Sequence, residues 1–252
     1  DMKAGVVQGW AALARLAIDS QGPVGMLLTT DEETGSHNSR SLIARVIRDC
    51  RSVLVLEPSA EGALKTRRKG TSWYHIAFEG RAAHAGLEPE RGVNATVEAA
   101  HFITEAVQWS DTRAGTSVTP TVLSAGHTAN TVPDRAHLTM DVRAWTRPEQ
   151  ERVDNAVRGW SLKHPEATWT ITGGIDRGAM EETASSDLFA LAQSVAASRG
   201  LQLSQCAVGG ASDGNLTAAA GIPTLDGLGA VGDGAHAVHE WASISAMTER
   251  SQ

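Results

Sequence analysis

The 252-residue chain lacks most of what marks a secreted scaffold, a membrane protein or a nucleic-acid binder. It has two cysteines, Cys50 and Cys206, far apart and without a Cys-x-x-Cys spacing. Neither a disulfide framework nor a thiolate zinc site is indicated, and both are expected to be buried, reduced thiols. No apolar run approaches the roughly 18 residues that cross a bilayer, so no membrane association is expected. Positive charge is scarce too: the formal net charge of -7 disfavours nucleic acid as a partner. The one dense basic run, "KTRRKG" at 65–70, reads as a solvated connector. The Gly-rich "VGGASDGN" at 208–215 has neither a P-loop lysine nor the G-x-G-x-x-G spacing, which excludes the usual nucleotide cradles. Its glycines instead suit a turn that approaches a cleft closely, with Ser212 and Asp213 in the wall.

With 41% hydrophobic and 20% charged residues, the chain is ordinary globular material for one large or two modest domains. The opening "DMKAGVVQGWAALARLA" has helical spacing, and Asp1 stands where a helix cap or a loop ligand would stand. An apolar strand is expected at 24–30, a helix at 39–47 and a second strand at 52–59. Both strands run into acids: Asp31, Glu32 and Glu33 in "TTDEETGS", and Glu57 in "LEPS". Strand, helix, strand with acids at both carboxyl ends is the pattern of a parallel α/β sheet, where ligands gather beyond the strand ends. Glu32, Glu33 and Glu57 are therefore expected to converge. Adjacent acids in a cleft call for a compensating cation or a shared proton.

From about Arg68 the pattern changes. Strands are expected at 71–80, 117–126, 136–145 and 167–173, with helices at 92–109 and 147–160. This is the β-α-β-β-α-β order of the ferredoxin-like split unit, and its "HLTMDVR" segment alternates as a half-covered antiparallel sheet should. The α/β pattern resumes near Ile175 with a helix at 185–200, the Gly-rich turn and a short strand in "TLDGLG". The expected fold is thus α/β, a mostly parallel-sheet domain formed by 1–67 and 175–252 with an inserted ferredoxin-like domain at 68–174.

In order along the chain stand "DMKAG", "TTDEETGS", "LEPS", "GRAAHAG", "NTVPDRA" with "DVR", "GGASDGN" and "GDGAHAVHE". Together they resemble the co-catalytic di-zinc peptidase and amidohydrolase family that includes glutamate carboxypeptidase, acetylornithine deacetylase and succinyl-diaminopimelate desuccinylase. The resemblance covers essentially the whole chain, and "HAGLEPERGVNATVEA" is most similar to the glutamate carboxypeptidase branch.

The resemblance implies two Zn²⁺ per subunit, bridged by a carboxylate in the position of Asp1. Glu33 and His236 would hold one ion and Glu57 the other. His239 competes with His236, but the spacing to Glu240 and Trp241 fits the family only with His236 as ligand. Glu32 resembles the general base, and Asp31 is left as a structural, backbone-bonding residue. Lys65 and Arg143 fall where cations for substrate carboxylates are expected, with Asn130 donating to the same carboxylate or to the scissile carbonyl. The resemblance places His84 in the partner subunit's cleft as a donor to the oxyanion, in a homodimer joined through the inserted domain by edge strands or helices. The implied reaction is hydrolysis of the amide bond of a C-terminal residue such as glutamate, or of an N-acylated amino acid. In one respect the sequence departs from the pattern. The family carries a His-x-Asp strand upstream of the bridging aspartate, so the chain reads as a piece of a longer enzyme whose two-metal site is incomplete within these residues. The alternative is a non-catalytic relative that keeps the fold and dimer for binding.

Overall fold

The computed structural model describes residues 2–19 and 23–251. In chain order its elements are α1 (Met2–Asp19), α2 (Arg40–Val46), β1 (Val53–Leu54), β2 (Leu64–Arg68), β3 (Gly70–Glu79), α3 (Ala95–Ala106), β4 (Ser117–Ala125), β5 (Arg135–Ala144), α4 (Arg147–Gly159), β6 (Thr168–Arg177), α5 (Ser186–Ser198), β7 (Gln205–Val208), α6 (Asp213–Ala219), β8 (Thr224–Leu225), β9 (Gly232–Asp233), β10 (Trp241–Ala242) and α7 (Ile244–Arg250). They form a mixed α/β chain of two compact units, Gly70–Gly178 and the residues on either side of it.

The outer unit is held by short parallel pairs. β1 pairs with β8 and β2 with β7, and the Lys65 N–H donates to the Asp226 carbonyl at 2.8 Å to link the β8 end to β2. Its buried apolar centre is Leu64, Phe189 and Leu225, closed by Leu188, Ala192, Leu203 and Leu228. α1 lies against the segment that follows β1. A Cβ on Gly5 would stand 2.3 Å from the Leu56 carbonyl oxygen, a separation only glycine allows. The helix thus accepts the roughly 1 kcal/mol propensity cost of an interior glycine in order to pack on backbone.

Three expectations for this unit are corrected. The apolar run 24–30 forms no strand: 23–29 carry no regular element, and Val24, Leu27 and Leu28 are exposed. Apolar, branched residues favour a strand only where a neighbouring backbone takes up the N–H and C=O groups, and no described strand pairs there. The basic run is no solvated connector. Residues 64–68 are β2, with Thr66 and Arg68 buried. Cys50 and Cys206 are free, as expected, but half-buried.

The inner unit follows its sequence closely. Its four strands form one antiparallel sheet in the order β4-β5-β3-β6, the split β-α-β-β-α-β arrangement. The side chains alternate along β5, with Ala136, Leu138, Met140 and Val142 buried under α3 and α4. The helices start where their caps dictate. The Asn94 side chain accepts from the Thr96 and Val97 N–H groups, and Thr146 accepts from Glu149 N–H ahead of Pro148 in the first turn. The centre is aromatic, since Phe102 meets Phe78, Trp109, Trp160 and Trp169 at centroid distances of 5.2–5.9 Å. Within this unit the opposite sheet face, with Trp73, His75, Asp141 and Arg143, is uncovered by any helix. β6 runs on to Arg177, past the expected end at 173.

Among the described residues no helix is long and apolar enough to cross a membrane. Phe102, fully buried in four ring contacts, makes the core testable. Phe102→Ala is expected to destabilise the inner unit by about 3–5 kcal/mol, read as loss of hydrogen-exchange protection across β3, β5 and α3.

Candidate functional site

The acidic loop is fastened from two directions. Asp31 accepts from the backbone N–H groups of Asn38 (2.7 Å) and Ser39 (3.2 Å) at the start of α2. Hydrogen bonds from Ser39 and Asn38 hold its carboxyl below the usual carboxylate range, which is the structural role expected of it. On either side of Asp31–Gly35, Thr29 Oγ1 and Ser36 Oγ donate to the two carboxylate oxygens of Asp213, at 3.2 and 2.5 Å. Asp213 is the first residue of α6, so the Gly-rich turn clamps the loop. The loop's centre is a 3-10 turn, Glu32–Thr34, that leaves Glu32 half-buried and Glu33 exposed.

Glu33 meets a residue 203 positions away. Its Oε2 lies 3.7 Å from His236 Nε2, with the two side chains 74% and 75% exposed. His236 sits between β9 and β10 with a φ of 65°, the left-handed region, where histidine is enriched but which still costs energy. His239 goes elsewhere, its ring lying against Gly234. The structure therefore brings His236, not His239, to Glu33.

Glu57 follows β1, with its carbonyl accepting from Gly229 N–H at 2.9 Å. Burial pushes its carboxyl up to about 7, the charges of Asp226 and Glu32 add to the rise, and Arg68 and Lys65 oppose it. Glu32 is thus within electrostatic reach of Glu57. The three expected acids do not close into one ligand cluster, however. Among the described residues no three His, Cys, Asp or Glu side chains converge as a metal site would need. Asp1, the expected bridge, lies outside the described residues. The donors that are described, two carboxylates and an imidazole with excess negative charge around Glu57, are of the kind that suits zinc.

Behind this site is a buried charge pair that sequence reasoning missed. Arg68 Nε donates to Asp226 Oδ2 at 2.7 Å, with the two side chains 4% and 0% exposed. Ser212 Oγ donates to the same oxygen at 2.6 Å, and Arg68 Nη1 donates to the Gly210 carbonyl at 2.9 Å. Ser212 caps α6 in a reciprocal box with Asn215. Neither member of the pair has a local signal: one stands in a basic run, the other in a short apolar strand end. Lys65, beside them on β2, has its pKa lowered by burial and by the charge of Arg68.

The expected residues of the inner unit fall at two places. His84 forms an isolated bridge with Thr131, and the Asn130 carbonyl accepts from Ala85 N–H at 2.9 Å, so His84 and Asn130 are neighbours. The N–H groups of Gly86 and Leu87 donate to His84 Nδ1 at 3.1 and 3.2 Å. The neutral ring then carries its proton on Nε2 and presents it outward as a donor. Arg143 is at the far end. It stands beside Thr71 at one end of the β3–β5 ladder, while His84 and Asn130 lie beyond the Glu79–Arg135 pair at the other. Eight residues of strand, roughly 27 Å, separate Arg143 from Arg135. Within one subunit, therefore, Asn130 and Arg143 do not reach one carboxylate, and the other expected role of Asn130, donation to the scissile carbonyl, does not require that they do.

Residues 66–168 match the peptidase dimerisation domain of the M20 type. Over 247 residues the chain is also 29% identical to carboxypeptidase G2 from Pseudomonas sp. (strain RS-16), covering 94% of this chain and 59% of that protein. Both similarities point toward peptidases, the first over the inner unit and the second over most of the chain. It spans well under two thirds of the length of carboxypeptidase G2. Two solved structures share its fold: aminopeptidase PepT from Bacillus cereus (TM-score 0.82, 21% identity, 99% of this chain and 68% of that one) and a tripeptidase from Staphylococcus aureus (TM-score 0.74, 20% identity, 99% and 67%). The matched residues, 66–168, fall almost entirely within the inner unit.

The buried pair gives a direct test of what supports the site. Asp226→Ala leaves the Arg68 charge buried and unpaired, and is expected to cost about 3–5 kcal/mol in denaturant unfolding. Replacing both residues by apolar ones, Arg68→Met with Asp226→Leu, should cost less than Asp226→Ala alone. Equal or greater loss in the double variant would show that the pair is not what holds β2, β8 and the Gly-rich turn together.

Proposed function

We propose that the chain is the larger part of a zinc-dependent hydrolase of peptide or amide bonds, acting on a C-terminal residue such as glutamate or on an N-acylated amino acid. The observation that carries this reading is the approach of Glu33 to His236 across 203 residues, with His236 held in a strained backbone conformation. Glu33 and His236 would hold one Zn²⁺ and Glu57 the other, with Asp1 bridging them. When bound, the two ions would supply a nucleophilic water at neutral pH and polarise the scissile carbonyl.

The chain's own residues then have distinct tasks. Glu32, next to a ligand and half-buried, takes the proton of the attacking water on its carboxylate and passes it to the nitrogen of the leaving amine. His84 donates from Nε2–H to the oxygen that gains negative charge. Lys65 and Arg143 take the substrate's carboxylate, and Arg's planar fork suits a bidentate grip. Because His84 and Asn130 lie at the sheet end opposite Arg143, these groups would serve one substrate only when they come from two copies of the chain. That supports a homodimer in which His84 and Asn130 act in the partner's cleft.

The dimer seam we infer is the free edge of β4. Among the described residues β4 pairs only with β5. It carries Pro120 beside a register shift, as edge strands do. It also exposes Val122 (60%) and Leu123 (51%), an apolar strand edge that soluble proteins normally cover. Two edges related by a two-fold axis would continue the sheet. Leu123→Lys is expected to shift sedimentation from dimer to monomer, whereas an unchanged dimer would move the seam elsewhere.

Activity is tested in the full-length enzyme. Glu32→Gln should keep bound zinc but lower kcat by about two to four orders of magnitude. Loss of zinc together with activity would instead make Glu32 a ligand. Mixing the inactive Glu32→Gln and His84→Ala variants should restore activity toward a quarter of the wild-type level, because random exchange gives mixed dimers with one intact cleft. Mixtures that stay inactive despite proven subunit exchange would place His84 in its own chain's site.

A further inference from the structure

We infer that Asp141 and Trp73 are positioning residues for Arg143, and that they leave it one edge of its guanidinium with which to take a substrate carboxylate. The inference rests on the proposed role of Arg143 in carboxylate recognition. It comes from three side chains on the uncovered face of the inner sheet. Trp73 on β3 stands directly opposite Asp141 on β5, and Arg143 is two residues further along β5, so all three point to the same face.

Asp141 is bonded from both sides. The Trp73 indole N–H donates to Asp141 Oδ2 at 2.8 Å. Arg143 Nε donates to Oδ1 at 2.8 Å and to Oδ2 at 3.1 Å, and Nη2 donates to Oδ2 at 2.8 Å. The indole fixes the plane of the carboxylate, and the carboxylate fixes the plane of the guanidinium. A guanidinium has two edges for a bidentate partner, Nε with Nη2 and Nη1 with Nη2. Asp141 occupies the first. The second, Nη1 with the remaining Nη2 proton, is the edge that can take a ligand.

Stability alone is a poor reason for this arrangement. Arg143 and Asp141 are 29% and 23% exposed, and ion pairs near the surface contribute little to folding. The pair does remove the rotamer freedom of a long side chain before any ligand arrives, so less is lost on binding. It also offsets part of the arginine's charge. A ligand therefore gains at Arg143 mainly by matching the open edge in plane, which a carboxylate does and a carboxamide does not.

The test compares an N-acyl amino acid with its α-carboxamide in the full-length enzyme, as the ratio of their kcat/KM values, which cancels any loss of folded protein. Arg143→Ala should lower the ratio by roughly 100-fold, the worth of a bidentate charged pair. Asp141→Asn should raise KM for the carboxylate substrate by about tenfold with kcat held, since one of its two acceptor oxygens is gone. Trp73→Phe, which keeps the ring and removes only the N–H, should raise KM in the same sense by a smaller factor, about threefold. A lowered ratio in Arg143→Ala with no change, or an improved KM, in Asp141→Asn and Trp73→Phe would overturn the positioning role and leave the role of Arg143 standing. An unchanged ratio in Arg143→Ala would overturn both. Should Asp141→Asn fail to fold, Trp73→Phe alone decides the positioning role.

Discussion

The outer unit depends on one buried carboxylate. Asp226 accepts from Arg68 and Ser212, and through them it ties β2 and the cap of α6 to the end of β8. The first turn of α6 carries Asp213, which bonds both flanks of the acidic loop. The same negative charge is a cause of the raised pKa of Glu57. A carboxylate this buried is tolerable only because its partners satisfy it, since removing one leaves an uncompensated charge in low dielectric. Structural support and the electrostatics of the site thus come from the same residue.

In the inner unit the governing constraint is the antiparallel sheet itself. A ladder that runs from Gly70–Ala144 to Glu79–Arg135 puts Arg143 near one end and the His84–Asn130 pair beyond the other. No side-chain rearrangement closes a gap of roughly 27 Å. The proposal of a shared cleft follows from that length: residues that cannot meet within one copy can meet across a two-fold axis. The uncovered sheet face and the exposed edge of β4 are the surfaces that such an assembly would use.

What was legible in the sequence was local. The six elements of the inner unit are marked by alternating burial along β5, by the Asn94 and Thr146 caps, and by amphipathic helices whose buried faces carry Phe102, Val153 and Val157. Its last boundary was not legible. Gly173 and Gly174 look like a strand end, but β6 continues through them, and a Cβ on Gly173 would stand 2.1 Å from the Trp73 carbonyl oxygen. The glycines admit a close backbone approach instead of stopping the strand. Arg68 was misread because a basic run looks solvated, and only the fold brings Asp226 to it. The run 24–30 was misread for the opposite reason, because apolar pattern cannot supply a pairing partner. At the site, the motif pointed to His236, which the fold brings to Glu33, and Asp31 makes the backbone bonds expected of it. The clamp by Asp213, the Asp141–Trp73 contact to Arg143 and the tautomer of His84 depend on hydrogen bonds that join separate segments or turn a ring, which no spacing encodes.

The central claim is that Glu33 and His236 are metal ligands, and calorimetric titration of the chain with Zn²⁺ tests it most directly. At least one Zn²⁺ should bind. Glu33→Ala and His236→Ala should each weaken that uptake by tenfold or more, on the order of 1.4 kcal/mol. No zinc uptake, or uptake unchanged in both variants, would contradict the assignment.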